Sequence, residues 1–122
     1  MPDPATAALS ELMGRLGHQF ANSRLLEEAL THRSYAVENG LQYDNQRLEF
    51  LGDAVLQIII TEHLYTRYPA EPEGRLTKMR SALAQQETLA SFAKTLSLGE
   101  YLMLGKGESD AKGQERESTL SD

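Results

Sequence analysis

Glu49, Asp53 and Gln57 recur every four residues inside a stretch, Leu48-Glu49-Phe50-Leu51-Gly52-Asp53-Ala54-Val55-Leu56-Gln57-Ile58-Ile59-Ile60, that is otherwise almost wholly apolar. On a helix they form one stripe, joined by Gln46 three residues before Glu49. A helix that is apolar on its other sides is expected to be largely enclosed, which carries two carboxylates into a packed interior or to its rim. Like charges at that spacing repel, and burying unpaired charge costs several kcal/mol more, roughly 3 to 5 where a partner is missing. Arginine or lysine partners, a shared proton or a hard divalent cation would each compensate, and Mg²⁺ suits one or two carboxylates completed by water or phosphate oxygens. A solvated polar face is the plain alternative. Gly52, unfavourable in mid-helix by about 1 kcal/mol relative to alanine, suggests the close approach of another backbone.

The elements that must position these residues read as helices. Prolines fall at Pro2, Pro4, Pro69 and Pro72, leaving long stretches free of that breaker. Residues 5–16 follow helical spacing and stop at Gly17, and residues 23–32 form a second helix capped by Asn22 or Ser23. Residues 38–45 read as a loop. The acidic stripe lies on a helix over 46–68, capped by Asp44 or Asn45 and closed by Pro69. A further long helix is expected over 74–96, a brief helical turn over 98–104, an exposed loop over 105–117, and the opening of one more helix over 118–122 with Ser118 as cap. No strand pattern and no repeat is present, so the expected class is all-α, one domain over residues 1–122.

Composition narrows the function. The chain has 122 residues, 40% hydrophobic and 25% charged, ordinary for a globular domain. Cysteine is absent, which excludes disulfides and thiolate metal sites. No signal peptide or membrane-length apolar run is visible, so a cytoplasmic protein without membrane attachment is expected. A net charge of −6 opposes nucleic-acid binding unless divalent cations offset the carboxylates. The local basic cluster is Arg75, Lys78 and Arg80, placed either to meet phosphates or as a solvated face. His18 and His63 carry no usable pattern.

The stretch Asn45-Gln46-Arg47-Leu48-Glu49-Phe50-Leu51-Gly52-Asp53-Ala54-Val55-Leu56 resembles the signature motif of ribonuclease III endonuclease domains. Four more segments resemble the family in the same order: Ala29-Leu30-Thr31-His32-Arg33-Ser34-Tyr35, Glu73-Gly74-Arg75-Leu76-Thr77-Lys78-Met79-Arg80, Leu104-Gly105-Lys106-Gly107-Glu108 and Glu117-Ser118-Thr119-Leu120-Ser121-Asp122. The resemblance implies the family's helical endonuclease fold lacking its last helices, and Mg²⁺-dependent cleavage of double-stranded RNA by a homodimer. It implies Glu49, Asp53 and Asp122 as metal ligands and, with Glu73, as the catalytic acids. Gln46, Lys78 and Arg80 would contact substrate, Phe50 would pack into the partner subunit, and His32 and Arg33 would be structural.

Two departures from the family pattern stand out. Gln46 replaces the commoner glutamate, keeping an acceptor oxygen but no charge. The glutamate expected three residues beyond Asp122 is not in this sequence, nor is a double-stranded-RNA-binding domain. The expectation is therefore a C-terminally incomplete domain with impaired or absent cleavage. The rival is a non-catalytic module of the same fold that binds double-stranded RNA or dimerises. An unrelated helical interaction domain is opposed by five matching segments in one order.

Overall fold

The computed structural model describes residues 4–110 and 112–122. Met1, Pro2 and Asp3, and Ala111 in the expected 105–117 loop, lie outside them. Eight α-helices are described: α1 (Pro4–Leu16), α2 (Ser23–Leu30), α3 (Arg33–Asn39), α4 (Gln46–Arg67), α5 (Glu73–Leu83), α6 (Gln86–Thr95), α7 (Lys106–Asp110) and α8 (Glu117–Ser121). Two 3₁₀ turns, Leu98–Tyr101 and Gly113–Glu115, join the later ones. The all-α class expected from the sequence is the one observed.

Local chemistry explains the boundaries. Helix α1 ends where Gly17 turns left-handed (φ 68°), letting the His18 amide reach the Met13 carbonyl at 3.1 Å. Asn22 caps α2 by accepting from the Arg24 amide at 3.1 Å, and Asp44 accepts from the Gln46 amide at 2.9 Å to open α4, where Asn45 makes no side-chain cap.

Four expectations are corrected. The helix expected over 23–32 stops at Leu30, and Thr31 pairs instead with Met103 in an isolated parallel bridge. His32 then caps α3, an element absent from the sequence reading, by accepting from the Ser34 amide at 3.1 Å. The helix expected over 74–96 breaks at Ala84 and Gln85. Gln85 is extended (ψ 146°), and Thr88 Oγ1 donates to the Ala82 carbonyl at 3.0 Å across the break. No proline or glycine marks the place; the two halves separate because α5 packs on α4 while α6 packs on α8. The 105–117 loop holds α7 and a 3₁₀ turn, and Ser118 lies within the first turn of α8, whose cap position is Arg116.

Two small cores hold these helices. Leu12, Met13, Leu26 and Leu30 form one, with Leu9, Phe20 and Tyr101 at its edge; Ala90, Ala93 and Leu120 form the other. Leu98 and Leu102 touch both, so the 3₁₀ turn and the residue after it weld the amino-terminal pair to the α6–α8 pair. Helix α4 stands apart. Leu64 is its only fully buried residue, while Phe50, Leu51, Val55, Ile58, Ile59 and Tyr65 are exposed. The expected enclosure is thus not present within this chain, because α2 and α5 cover only part of its circumference. Nor does any backbone approach Gly52, where an added Cβ would meet no atom within 4 Å.

Leu12 has no exposed surface, so Leu12→Ala should lower the unfolding free energy by about 2 to 5 kcal/mol. Val37→Ala, at a side chain left 72% exposed, should change it by less than about 0.5 kcal/mol. Urea denaturation of both variants checks the contrast, and equal losses would contradict the core assignment.

Candidate active site

The carboxylates of the signature stretch meet a second acidic group where α4 begins and α8 ends. Glu49 occupies the first turn of α4, and Asp122 follows α8 directly. The two side chains stand against one another, close enough for each to shift the other's titration. Asp53, one turn further along α4, adds its field to Glu49.

Electrostatics follow from that geometry. Partial burial lifts the Glu49 carboxyl above the ordinary glutamate range, and the charge of Asp122, the shared hydrogen bond and the charge of Asp53 lift it further. Partial burial also raises Asp122, while the hydrogen bond from Glu49 and the nearby His32 pull it back down.

These residues line a cleft of about 820 Å³ together with Asn45, Gln46, Phe50 and Gly52 from one side and Ala84, Gln86 and Leu89 from the other. The break at Gln85 matters here, since it brings the start of α6 to the cleft wall. Gln46 is exposed and accepts from Arg33 Nη1 at 3.4 Å, so it sits beside the acids with its oxygen already engaged. The donor set is all oxygen and includes paired carboxylates, which fits a hard divalent ion. Among the described residues no three acidic or histidine side chains stand together as a metal cage. Any ion would need water or phosphate oxygens to complete its shell.

Other residues singled out from the sequence lie elsewhere. Glu73 opens α5 and lines a separate 430 Å³ cavity with Thr61, Leu64, Leu76 and Arg80. Arg80 donates to Thr61 Oγ1 at 3.0 Å, tying α5 to α4, whereas Lys78 is exposed on α5. Phe50 is 83% exposed beside the acidic cleft. The sequence reading did not connect His32 with Asp122 or Arg33 with Gln46; both pairings depend on the turn after α2, which spacing along one helix does not reveal.

A Ribonuclease-III-like family model matches residues 22–122. The chain belongs to the ribonuclease III family. It is 50% identical over 113 residues to Ribonuclease 3 of Oleidesulfovibrio alaskensis, covering 92% of this chain and 49% of that protein. To Ribonuclease 3 of Enterococcus faecalis it is 48% identical over 115 residues, covering 93% of this chain and 50% of that protein. The chain thus spans about half the length of the curated relatives it matches. Its fold superposes on the nuclease domain of ribonuclease III from Campylobacter jejuni with a TM-score of 0.86 and 37% identity, over 93% of this chain and 76% of that one. That solved structure is described for flexibility in a region involved in dimer formation.

Because Glu49 and Asp122 both titrate above their ordinary values of 4.5 and 3.8, the folded chain holds protons that the unfolded chain has released at the same pH. Stability should therefore be greatest below that window and fall as pH rises through it. Glu49→Gln removes one of the two repelling charges and should flatten this part of the profile while raising the thermal midpoint at neutral pH. A midpoint-against-pH curve that overlays the parent's would refute the assigned repulsion.

Proposed function

We propose that this chain carries the endonuclease site of a double-stranded-RNA-cleaving, Mg²⁺-dependent ribonuclease III, and that it works as a cytoplasmic homodimer. The observation that supports this reading is the Glu49–Asp122 contact: two acids from distant parts of the chain are brought together at a repulsive cost that a catalytic ion would relieve. The relatives' shared name, Ribonuclease 3, points to the same chemistry.

In this reading Glu49, Asp53 and Asp122 would hold Mg²⁺. When bound, the ion supplies phosphate polarisation and a water of lowered pKa. The chain's own residues do the remaining work. Glu49 and Asp122, from distant parts of the chain, would offer carboxylate oxygens as ligands. Gln46 offers an amide oxygen and two N–H donors at the cleft wall, suited to a substrate hydroxyl, a phosphate oxygen or an ordered water. Glu73, in its separate cavity, and Arg80, engaged with Thr61, would reach RNA only along a surface wider than the cleft, with exposed Lys78 between them meeting phosphate. Such contacts read A-form shape and backbone and not base sequence.

The exposed side of α4 supports the dimer. Phe50 and Leu51 beside the cleft, with Val55, Ile58 and Ile59 beyond, present apolar side chains that water does not favour. A second reading, a non-catalytic RNA-binding or dimerisation module, is favoured by neutral Gln46 and, among the described residues, by the lack of a third acidic or histidine side chain grouped with Glu49 and Asp122.

Cleavage of duplex RNA with Mg²⁺ separates the two readings when this chain is assayed beside a version lengthened to match its relatives. The lengthened form should cut, and its Asp53→Asn variant should lose cleavage by about 10² or more while retaining RNA binding. Binding without cleavage by the lengthened parent would favour the non-catalytic module. Sedimentation should show Phe50→Ala dissociating at least about tenfold more readily than the parent, as loss of a buried aromatic at an interface costs about 2 kcal/mol or more. An unchanged association constant would remove Phe50 from the interface.

A further inference from the structure

One turn of backbone is bonded to both acidic segments. On one side the Thr31 carbonyl accepts from the Asn45 amide at 2.9 Å, fixing the residue that precedes α4 and its Glu49 and Asp53. On the other side the Met103 amide donates to the Leu30 carbonyl and the His32 amide to the Met103 carbonyl, both at 2.9 Å. Two residues later the Gly105 amide donates to Ser34 Oγ at 2.7 Å, and Ser34 Oγ lies 2.7 Å from His32 Nδ1. Segment 103–105 begins the run through α7 to α8 and Asp122.

The side-chain couple has few substitutes. His32 Nδ1 accepts from the Ser34 amide, so it cannot offer a hydrogen there, and the Ser34 hydroxyl must donate to it while accepting from Gly105. Gly105 is fully packed: an added Cβ would lie 2.8 Å from both Ser34 Cβ and the Ser34 carbonyl oxygen. Only a residue without a side chain brings its amide that close. Glu38 completes the grip from the same helix, its carboxylate oxygens accepting from the Lys106 amide at 2.8 and 2.9 Å. The seat of α8 on α6, Leu120 against Ala90 and Ala93, is an apolar contact.

We propose that His32 and Ser34 are positioning residues of the carboxylate site, setting the Asp122 segment against α4 through the bonds of the 30–34 turn. They touch neither substrate nor ion; they decide where two ligand-bearing segments stand relative to each other. The functional half of this inference rests on the Mg²⁺ reading given above, while the positional half stands on the hydrogen bonds alone. Outer-shell partners of metal ligands commonly change affinity by about 10- to 100-fold when removed.

The test uses the absence of cysteine. Spin labels on cysteines introduced at exposed Glu62 in α4 and exposed Ser118 in α8 report the separation of the two segments by double electron–electron resonance. Titration calorimetry with Mg²⁺ alone reads affinity in the unlabelled chain. Ser34→Ala and His32→Ala should each broaden the distance distribution and weaken Mg²⁺ binding about tenfold or more. His32→Asn, which restores an acceptor at the cap, should stay near the parent in both. Helix content is checked by circular dichroism, and if Ser34→Ala loses it, the His32→Ala and His32→Asn pair decides. A parental distance distribution in a folded alanine variant overturns the proposal, as does a broadened distribution with undiminished Mg²⁺ affinity. If the parent itself takes up no Mg²⁺, the metal reading fails, and the distances alone judge the positioning role.

Discussion

Thr31 has no surface in contact with solvent, yet it carries three polar groups, and the architecture is arranged around satisfying them. Its hydroxyl donates to the Glu27 carbonyl at 2.6 Å, its amide to Glu28 at 3.2 Å, and its carbonyl receives the Asn45 amide. Burying such groups without partners would cost a few kcal/mol each, of the order of the whole stability of a small domain when summed. The partners come from α2, from the start of α4 and, through the adjoining bridge, from the segment after the first 3₁₀ turn. Meeting that demand makes pieces of chain separated by more than seventy residues converge at one point.

The convergence explains why an acidic chain can hold acids together. The contact of Glu49 with Asp122 is held in place because α8 is seated on α6 and its approach is bonded to the Thr31 turn. Stability supplied by packing and backbone bonds is spent on a locally unfavourable arrangement, a common sign of a working site. The same logic places the break at Gln85, since a continuous helix over 74–96 would carry the wall of the cleft away from Asp122.

Much of this was legible in residue order. The helical class, the start of α4 at Gln46 and the stop at Gly17 follow from spacing and punctuation, and the brief helical turn expected over 98–104 is present as the shorter 3₁₀ turn Leu98–Tyr101. The pairing of Glu49 with a second acid was legible through resemblance to the family, and from spacing only as a need for compensation. What stayed hidden has a common physical origin. The α5–α6 break has no proline or glycine because tertiary packing makes it; α3 is short and held by His32, a cap type that propensity does not favour; and Gly52 faces open space, so its mid-helix cost suggests a neighbour this chain does not supply. Exposure of α4 escaped prediction for the same reason: an all-round apolar pattern states that a surface wants cover without saying which molecule provides it.

That uncovered surface has a particular character because it belongs to a helix. Among the described residues the only extended pairing is the single bridge at Thr31 and Met103, so no open strand edge offers its amides and carbonyls to a neighbour. Any contact made through exposed Phe50, Val55 and Ile59 would proceed by side chains fitting into grooves, which selects for shape, where an open sheet edge offers the same backbone bonds to any strand.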